Sequence, residues 1–182
     1  MPNLLRLATT GLLIAYPLIV WAFVQHGYIY SLFFVLATAL ILQVLSFGLG
    51  NPRSYIALSA LAMIGLMAWL FDPLVSVMYY PVWMSAIMLF IFVGTLIRPP
   101  AIITRLARLM DGELSPAAIR YTERVTLVWA VFFAFNGAIA WWTVQSGNMA
   151  LWTIYNGIIS YVLMGILMAL EWSIRRVVKH RH

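Results

Sequence analysis

Cysteine is absent from this 182-residue sequence, which excludes disulfides, thiolate metal sites and a cysteine nucleophile together. Charge is nearly absent too: only 9% of residues are charged, and five of them are acidic. The three histidines are His26, His180 and His182, so no pair with metal-ligand spacing falls within an apolar stretch. No G-x-S-x-G, no H-E-x-x-H and no phosphate-cradling glycine loop occurs. The one close carboxylate pair, Asp111 and Glu113, flanks Gly112 and reads as cap and solubility residues. None of the long apolar runs carries a charge near its middle, which argues against an ion-driven transporter working alone, since proton relays need buried carboxylates. The sequence therefore offers no metal set, no cofactor motif and no catalytic constellation.

What remains is hydrocarbon. At 64% hydrophobic residues, a soluble arrangement would expose a vast apolar surface. Six apolar stretches are legible, at about 7–24, 29–49, 55–71, 82–97, 125–144 and 150–172, each close to the length that crosses a bilayer. The first is read as a retained helix rather than a signal peptide, because it holds Pro17 and aromatics and no small-x-small site follows. All eleven basic residues fall in alternate gaps: Arg6; Arg53; Arg98, Arg105, Arg108, Arg120 and Arg124; then Arg175, Arg176, Lys179 and Arg181. Basic residues are retained on the cytoplasmic side, so six spans with both termini inside are expected. The net charge of +6 then matches anionic inner-leaflet headgroups rather than nucleic acid. The reading is one all-α, polytopic transmembrane domain covering residues 1–182.

Residues 98–124 form the one sizeable polar segment. Pro99 and Pro100 stop the fourth span, and then Ile102, Ile103, Leu106, Leu109 and Met110 recur at one-face spacing while Arg105 and Arg108 point elsewhere. An amphipathic helix on the inner surface is expected there. Gly112 is placed to end it, and Ser115-Pro116 to start another helix that continues into the fifth span. That helix would be about 30 residues or about 45 Å long, more than the ~30 Å hydrocarbon core. Its first turns would stand clear of the membrane, presenting Arg120, Tyr121, Glu123 and Arg124. Arg105, Arg108, Arg120, Tyr121 and Arg124 are the candidate binding residues; they converge only if residues 111–115 fold one helix back toward the other. The segment is either a lipid-hugging collar or a docking patch for an anionic headgroup or an acidic protein such as an acyl carrier.

Within the spans the polar residues are neutral. Gln43, Asn136 and Asn156 are the intramembrane candidates, as interhelical glue or as ligand contacts. Ile19, Trp21, Val24, Gln25 and Gly27 recur as Ile139, Trp141, Val144, Gln145 and Gly147. Either a duplicated hairpin or two turns meeting the same interfacial demands explains this echo.

The order "RPP", "MDGEL" and "RYTERVTLVWAVFFAFNGAIA" over residues 98–140 resembles a family of small bacterial inner-membrane proteins encoded among aryl-polyene and fatty-acid-like biosynthetic genes. More distantly, Arg98-Pro99, Gly112 to Leu114 and Trp129 to Phe133 resemble septation protein A, from which the nearly uncharged outer loops and wide basic segment depart. The resemblance implies a multi-pass protein of the bacterial inner membrane without an established active site. Two function classes follow: a non-catalytic accessory or scaffold protein for envelope or lipid-like biosynthesis, and a carrier or flippase component for a lipophilic product. An intramembrane enzyme comes third, since its general acid or base would have to lie among groups at the membrane surface, and a septation-related envelope role is a further alternative.

The charge pattern predicts that single cysteines at His26, Asp72 and Asn148 react with an impermeant maleimide in intact spheroplasts, whereas one at Arg108 reacts only after lysis. The native chain contributes no cysteine background. Labelling at position 148 only after the inner membrane is opened would invert the assignment.

Overall fold

The computed structural model describes residue 11, residues 15–26 and residues 28–179. The start of the first expected span and the tail histidines lie outside these residues. The described elements are helices in the order α1 (Tyr16–Gln25), α2 (Ile29–Phe47), α3 (Pro52–Leu70), α4 (Pro73–Met78), α5 (Tyr80–Ile97), α6 (Ile102–Asp111), α7 (Pro116–Gln145), α8 (Met149–Ile154), a π turn (Tyr155–Ile159) and α9 (Ser160–Lys179). No strand occurs among the described residues. This is the outcome hydrocarbon demands, because a helix satisfies its backbone groups within one segment.

Among the described residues four helical stretches are long and apolar enough to cross a membrane: Pro52–Leu70, Leu74–Ile97, Pro116–Gln145 and Met149–Arg175. Phe34–Phe47 is a shorter apolar stretch. The chain is thus an all-helical protein suited to a membrane. Two of the expected boundaries move. Helical structure resumes at Pro73 and not near residue 82, because the Asp72 carboxylate accepts the Leu74 N–H at 2.8 Å and Pro73 fills the first helical position, where no N–H is needed. Pro81, which has no N–H to donate, accompanies the break at Tyr79 between α4 and α5. The last helix also runs past residue 172, to Lys179.

Each turn is closed by residues chosen for that position. Gly48, at φ 77°, donates its N–H to the Val44 carbonyl and ends α2. The Asn51 side chain then accepts the Arg53 N–H at 2.9 Å, with Pro52 beside it, and starts α3. Ser54, fully buried, returns a 2.6 Å hydrogen bond to the Gly48 carbonyl, and the Arg53 guanidinium lies 5.0 Å from the Phe47 ring centre. At the turn between α7 and α8, Asn148 accepts the Leu151 N–H at 3.0 Å and begins α8.

The chain divides into two compact units, one made of residues up to Trp83 with Ile139–Tyr161, the other of Met84–Ala138 with residues from Val162 onward. In the first, α2 packs on α3 and α4, and α1 packs on α2, α8 and the π turn. Its interior mixes Leu36, Leu40, Ile64 and Val77 with the small residues Ala39, Ala57 and Ala60, which let helix backbones approach closely. Trp152, wholly buried, donates its indole N–H to the Met78 carbonyl at 3.1 Å, and Gln145 donates to the Tyr79 hydroxyl at 2.8 Å. These two bonds bring the segment after Asp72 and the hairpin at Asn148 to the same end of the unit.

In the second unit α5 meets α7. Asn136, buried, donates to the Ser85 hydroxyl at 3.0 Å. A Cβ built on the adjoining Gly137 would stand 3.1 Å from the Ser85 Cβ, so the absence of a side chain there sets how closely the helices approach. Phe92 stacks edge-on against Phe133 at 5.2 Å between ring centres, and Trp129 lies against both Phe132 and Phe133.

Replacing Asn136 by Leu or Ser85 by Ala should each lower thermal stability in detergent. The double substitution should cost less than the sum, with a coupling of about 1 kcal/mol. Additive losses would mean that the two side chains do not act as a pair.

Candidate functional site

The polar segment folds as two helices tied together by hydroxyl groups. Thr95 Oγ1 accepts the Ile102 N–H at 3.0 Å, which fixes the chain as it leaves α5. One turn into α6, Thr104 is fully buried, with its hydroxyl 2.7 Å from that of Thr122 on α7. Ala101 and Ala107, both buried, flank Thr104 on the same face. The opposite face carries Leu106, Leu109 and Met110, which are 49%, 84% and 74% exposed. The side of α6 turned toward the protein is therefore its small and polar side, and its large apolar side chains face outward. Gly112, at φ 76°, donates to the Arg108 carbonyl and closes the helix.

The Thr104–Thr122 contact folds α6 back against α7, while helical geometry sets the five candidate binding residues on different faces of the two helices. Arg105 and Arg108 are exposed and adjacent on α6. Arg105 Nε donates to the Pro100 carbonyl at 2.7 Å, which holds that guanidinium over the loop preceding its own helix. Arg108 stands in the last turn, where the partial negative charge of the helix end favours it. Arg120 and Arg124 are exposed and one turn apart on α7. At about 100° per residue they lie roughly 160° around α7 from Thr122, whose hydroxyl meets α6. They face away from α6. Tyr121 turns elsewhere again: half-buried, it donates its hydroxyl to the Glu171 carbonyl at 3.4 Å and ties α7 to α9.

The neutral intramembrane candidates have separate fates. Asn136 is committed to Ser85. Asn156, 4% exposed, donates to Thr143 Oγ1 at 3.2 Å and to the Trp152 carbonyl at 2.9 Å. Gln43 Oε1 and Asn156 Oδ1 are buried with no hydrogen-bond partner among the described residues. No group of three or more His, Asp or Glu able to hold a metal ion occurs among the described residues. Sequence reasoning missed Ser85, Thr104, Thr122 and Thr143. A hydroxyl can always bond its own helix backbone, so composition gives no sign that it reaches across to another helix. The i, i+4 spacing of Thr122 and Thr126 on an otherwise apolar face was the one available signal.

No family model matches the chain, and no curated protein or solved structure matches it.

Replacing Thr104 by Val keeps the shape but removes the hydroxyl pair. Amide exchange across residues 102–111 should then accelerate by about fivefold, the equivalent of about 1 kcal/mol, with exchange in α7 below Thr126 unchanged. Equal protection in the variant would place the hold on α6 elsewhere.

Proposed function

We propose that this chain is a non-catalytic accessory or scaffold protein of the bacterial inner membrane, serving envelope or lipid-like biosynthesis of the aryl-polyene type. In this reading it crosses the membrane six times with both termini in the cytoplasm. The observation that carries the reading is the division of chemistry along the chain. The apolar helices hold neutral side chains bonded to one another, while exposed basic residues recur from the end of α5 through α6 into the first turns of α7.

Helix α6 is the membrane-surface element. Its small face is taken by α7 through Thr104 and Thr122, and its exposed Leu106, Leu109 and Met110 enter the headgroup boundary, with Arg105 at the edge of that face and Arg108 at the helix end among lipid phosphates. The first turns of α7 then rise from the inner face. Arg120 and Arg124 project there as a basic pair directed away from α6, where an acidic soluble protein such as an acyl carrier can reach them. The two pairs divide the work, Arg105 and Arg108 toward anionic lipid and Arg120 and Arg124 toward the soluble partner. The resemblance of residues 98–140 to proteins encoded among biosynthetic genes supports the same partner class.

Changing Arg120 and Arg124 to Gln should weaken binding of acyl carrier protein to the chain in nanodiscs by about tenfold at low salt and leave membrane insertion intact. Changing Arg105 and Arg108 to Gln should instead reduce retention of phosphatidylglycerol in native mass spectra. Unchanged binding in the first variant would reduce the segment to a collar that fixes orientation.

A further inference from the structure

The final membrane-length helix is interrupted by the π turn Tyr155–Ile159, which follows α8 directly and passes into α9. Single π turns inside α-helices recur at functional sites, because the extra residue swings side chains out of the regular register. Asn156 sits in this one and is 4% exposed.

Its carboxamide has one permitted orientation. Both amide hydrogens are used, one toward the Trp152 carbonyl at 2.9 Å and one toward Thr143 Oγ1 at 3.2 Å. Thr143 is itself wholly buried and spends its own proton on the Ala140 carbonyl at 2.7 Å, so it can only accept from Asn156. Flipping the amide would set an oxygen against the Trp152 carbonyl and against a hydroxyl with no proton left to give. Oδ1 is therefore aimed away from both, and it is buried with no partner among the described residues. Thr153, three residues earlier and so on the same side of the helix, is 7% exposed, and its Oγ1 is likewise buried without a partner. A threonine in a helix usually returns its proton to a carbonyl one turn back, as Thr143 does and Thr153 does not. An acceptor and a hydroxyl able to give or take a proton thus lie one turn apart in an apolar surrounding, where unpaired polar atoms are costly.

We infer that this face of the π turn is a binding site for a neutral hydroxyl group, which donates to Asn156 Oδ1 and accepts the Thr153 proton. A carboxylate or phosphate would meet the amide oxygen with like polarity. An ammonium would lack a counter-charge, since no buried Asp or Glu occurs among the described residues. The hydroxyl comes either from a long-chain alcohol dissolved in the membrane or from a water molecule. The exposed Ile154, Ile158 and Ile159 on neighbouring faces give an acyl chain an apolar surface on which to lie. This site stands independently of the scaffold reading, which concerns the segment between α5 and α7.

The test uses the full chain, labelled in its asparagine carboxamides and reconstituted in bilayers containing hexadecanol labelled with carbon-13 at the carbinol carbon. Magic-angle-spinning NMR reads polarisation transfer to the Asn156 carboxamide, assigned by its loss in Asn156→Ser. Transfer from the carbinol carbon supports an alcohol site, and it should fall about fivefold in Thr153→Val, which keeps the Asn156–Thr143 bond. Transfer from water alone supports the site with water as its source. Transfer from neither, or alcohol transfer that Thr153→Val leaves unchanged, overturns the inference.

Discussion

A polar side chain in hydrocarbon must find its partner inside the protein, because lipid tails offer none. That constraint organises this molecule. Its apolar helices gain little from burying leucine against leucine when the surrounding acyl chains are equally apolar. What distinguishes one helix pairing from another is where a hydroxyl or amide can be met: Asn136 by Ser85 and Asn156 by Thr143 within the apolar stretches, and Thr104 by Thr122 and Gln145 by Tyr79 at their ends. Small residues stand at the same contacts. Gly137 adjoins the Asn136 contact, and Ala101 and Ala107 flank Thr104, because short hydrogen bonds between helices require backbones that approach closely.

The same constraint sends charge to the ends. Arg53 stands over Phe47 in the turn that joins α2 to α3, and Asp72 caps α4 at the other end of α3. Arg105 and Arg108 occupy the short helix between α5 and α7, whose exposed face is apolar and whose hidden face is small. A soluble helix of this composition would hide its leucines and show its alanines. The inversion is intelligible if the medium beyond Leu106, Leu109 and Met110 is lipid, which is the ground for the proposed membrane-surface role of this segment.

Helix class and most helix positions were legible in the sequence, since apolar run length and the stops at Asp72-Pro73, Pro99-Pro100 and Gly112 report directly on the backbone. The long helix from Pro116 was legible for the same reason: a serine-proline start with no breaker before Gln145. Side-chain direction was not. A basic residue every few positions between 105 and 124 looks like one patch in one dimension, yet Thr122 turns toward α6 and so carries Arg120 and Arg124 to the far side of α7. Tyr121 looks like part of the same patch but belongs to the contact with Glu171. The π turn was invisible, because YNGII carries no residue that forbids an ordinary helix. The buried contacts of Asn156 with Thr143 and Trp152 accompany it, and no periodicity encodes them.

If neutral pairs and packing hold the helices together, and charge serves only at the ends, folding and association should respond differently to ionic strength. The direct measurement is the thermal midpoint of the purified chain in a nonionic detergent between about 0.01 M and about 1 M salt, over which the Debye length falls from about 30 Å to about 3 Å. The account predicts a midpoint that stays constant across this range. A steep fall in the midpoint as salt rises would show that ion pairs, and not the amide and hydroxyl contacts, carry the fold.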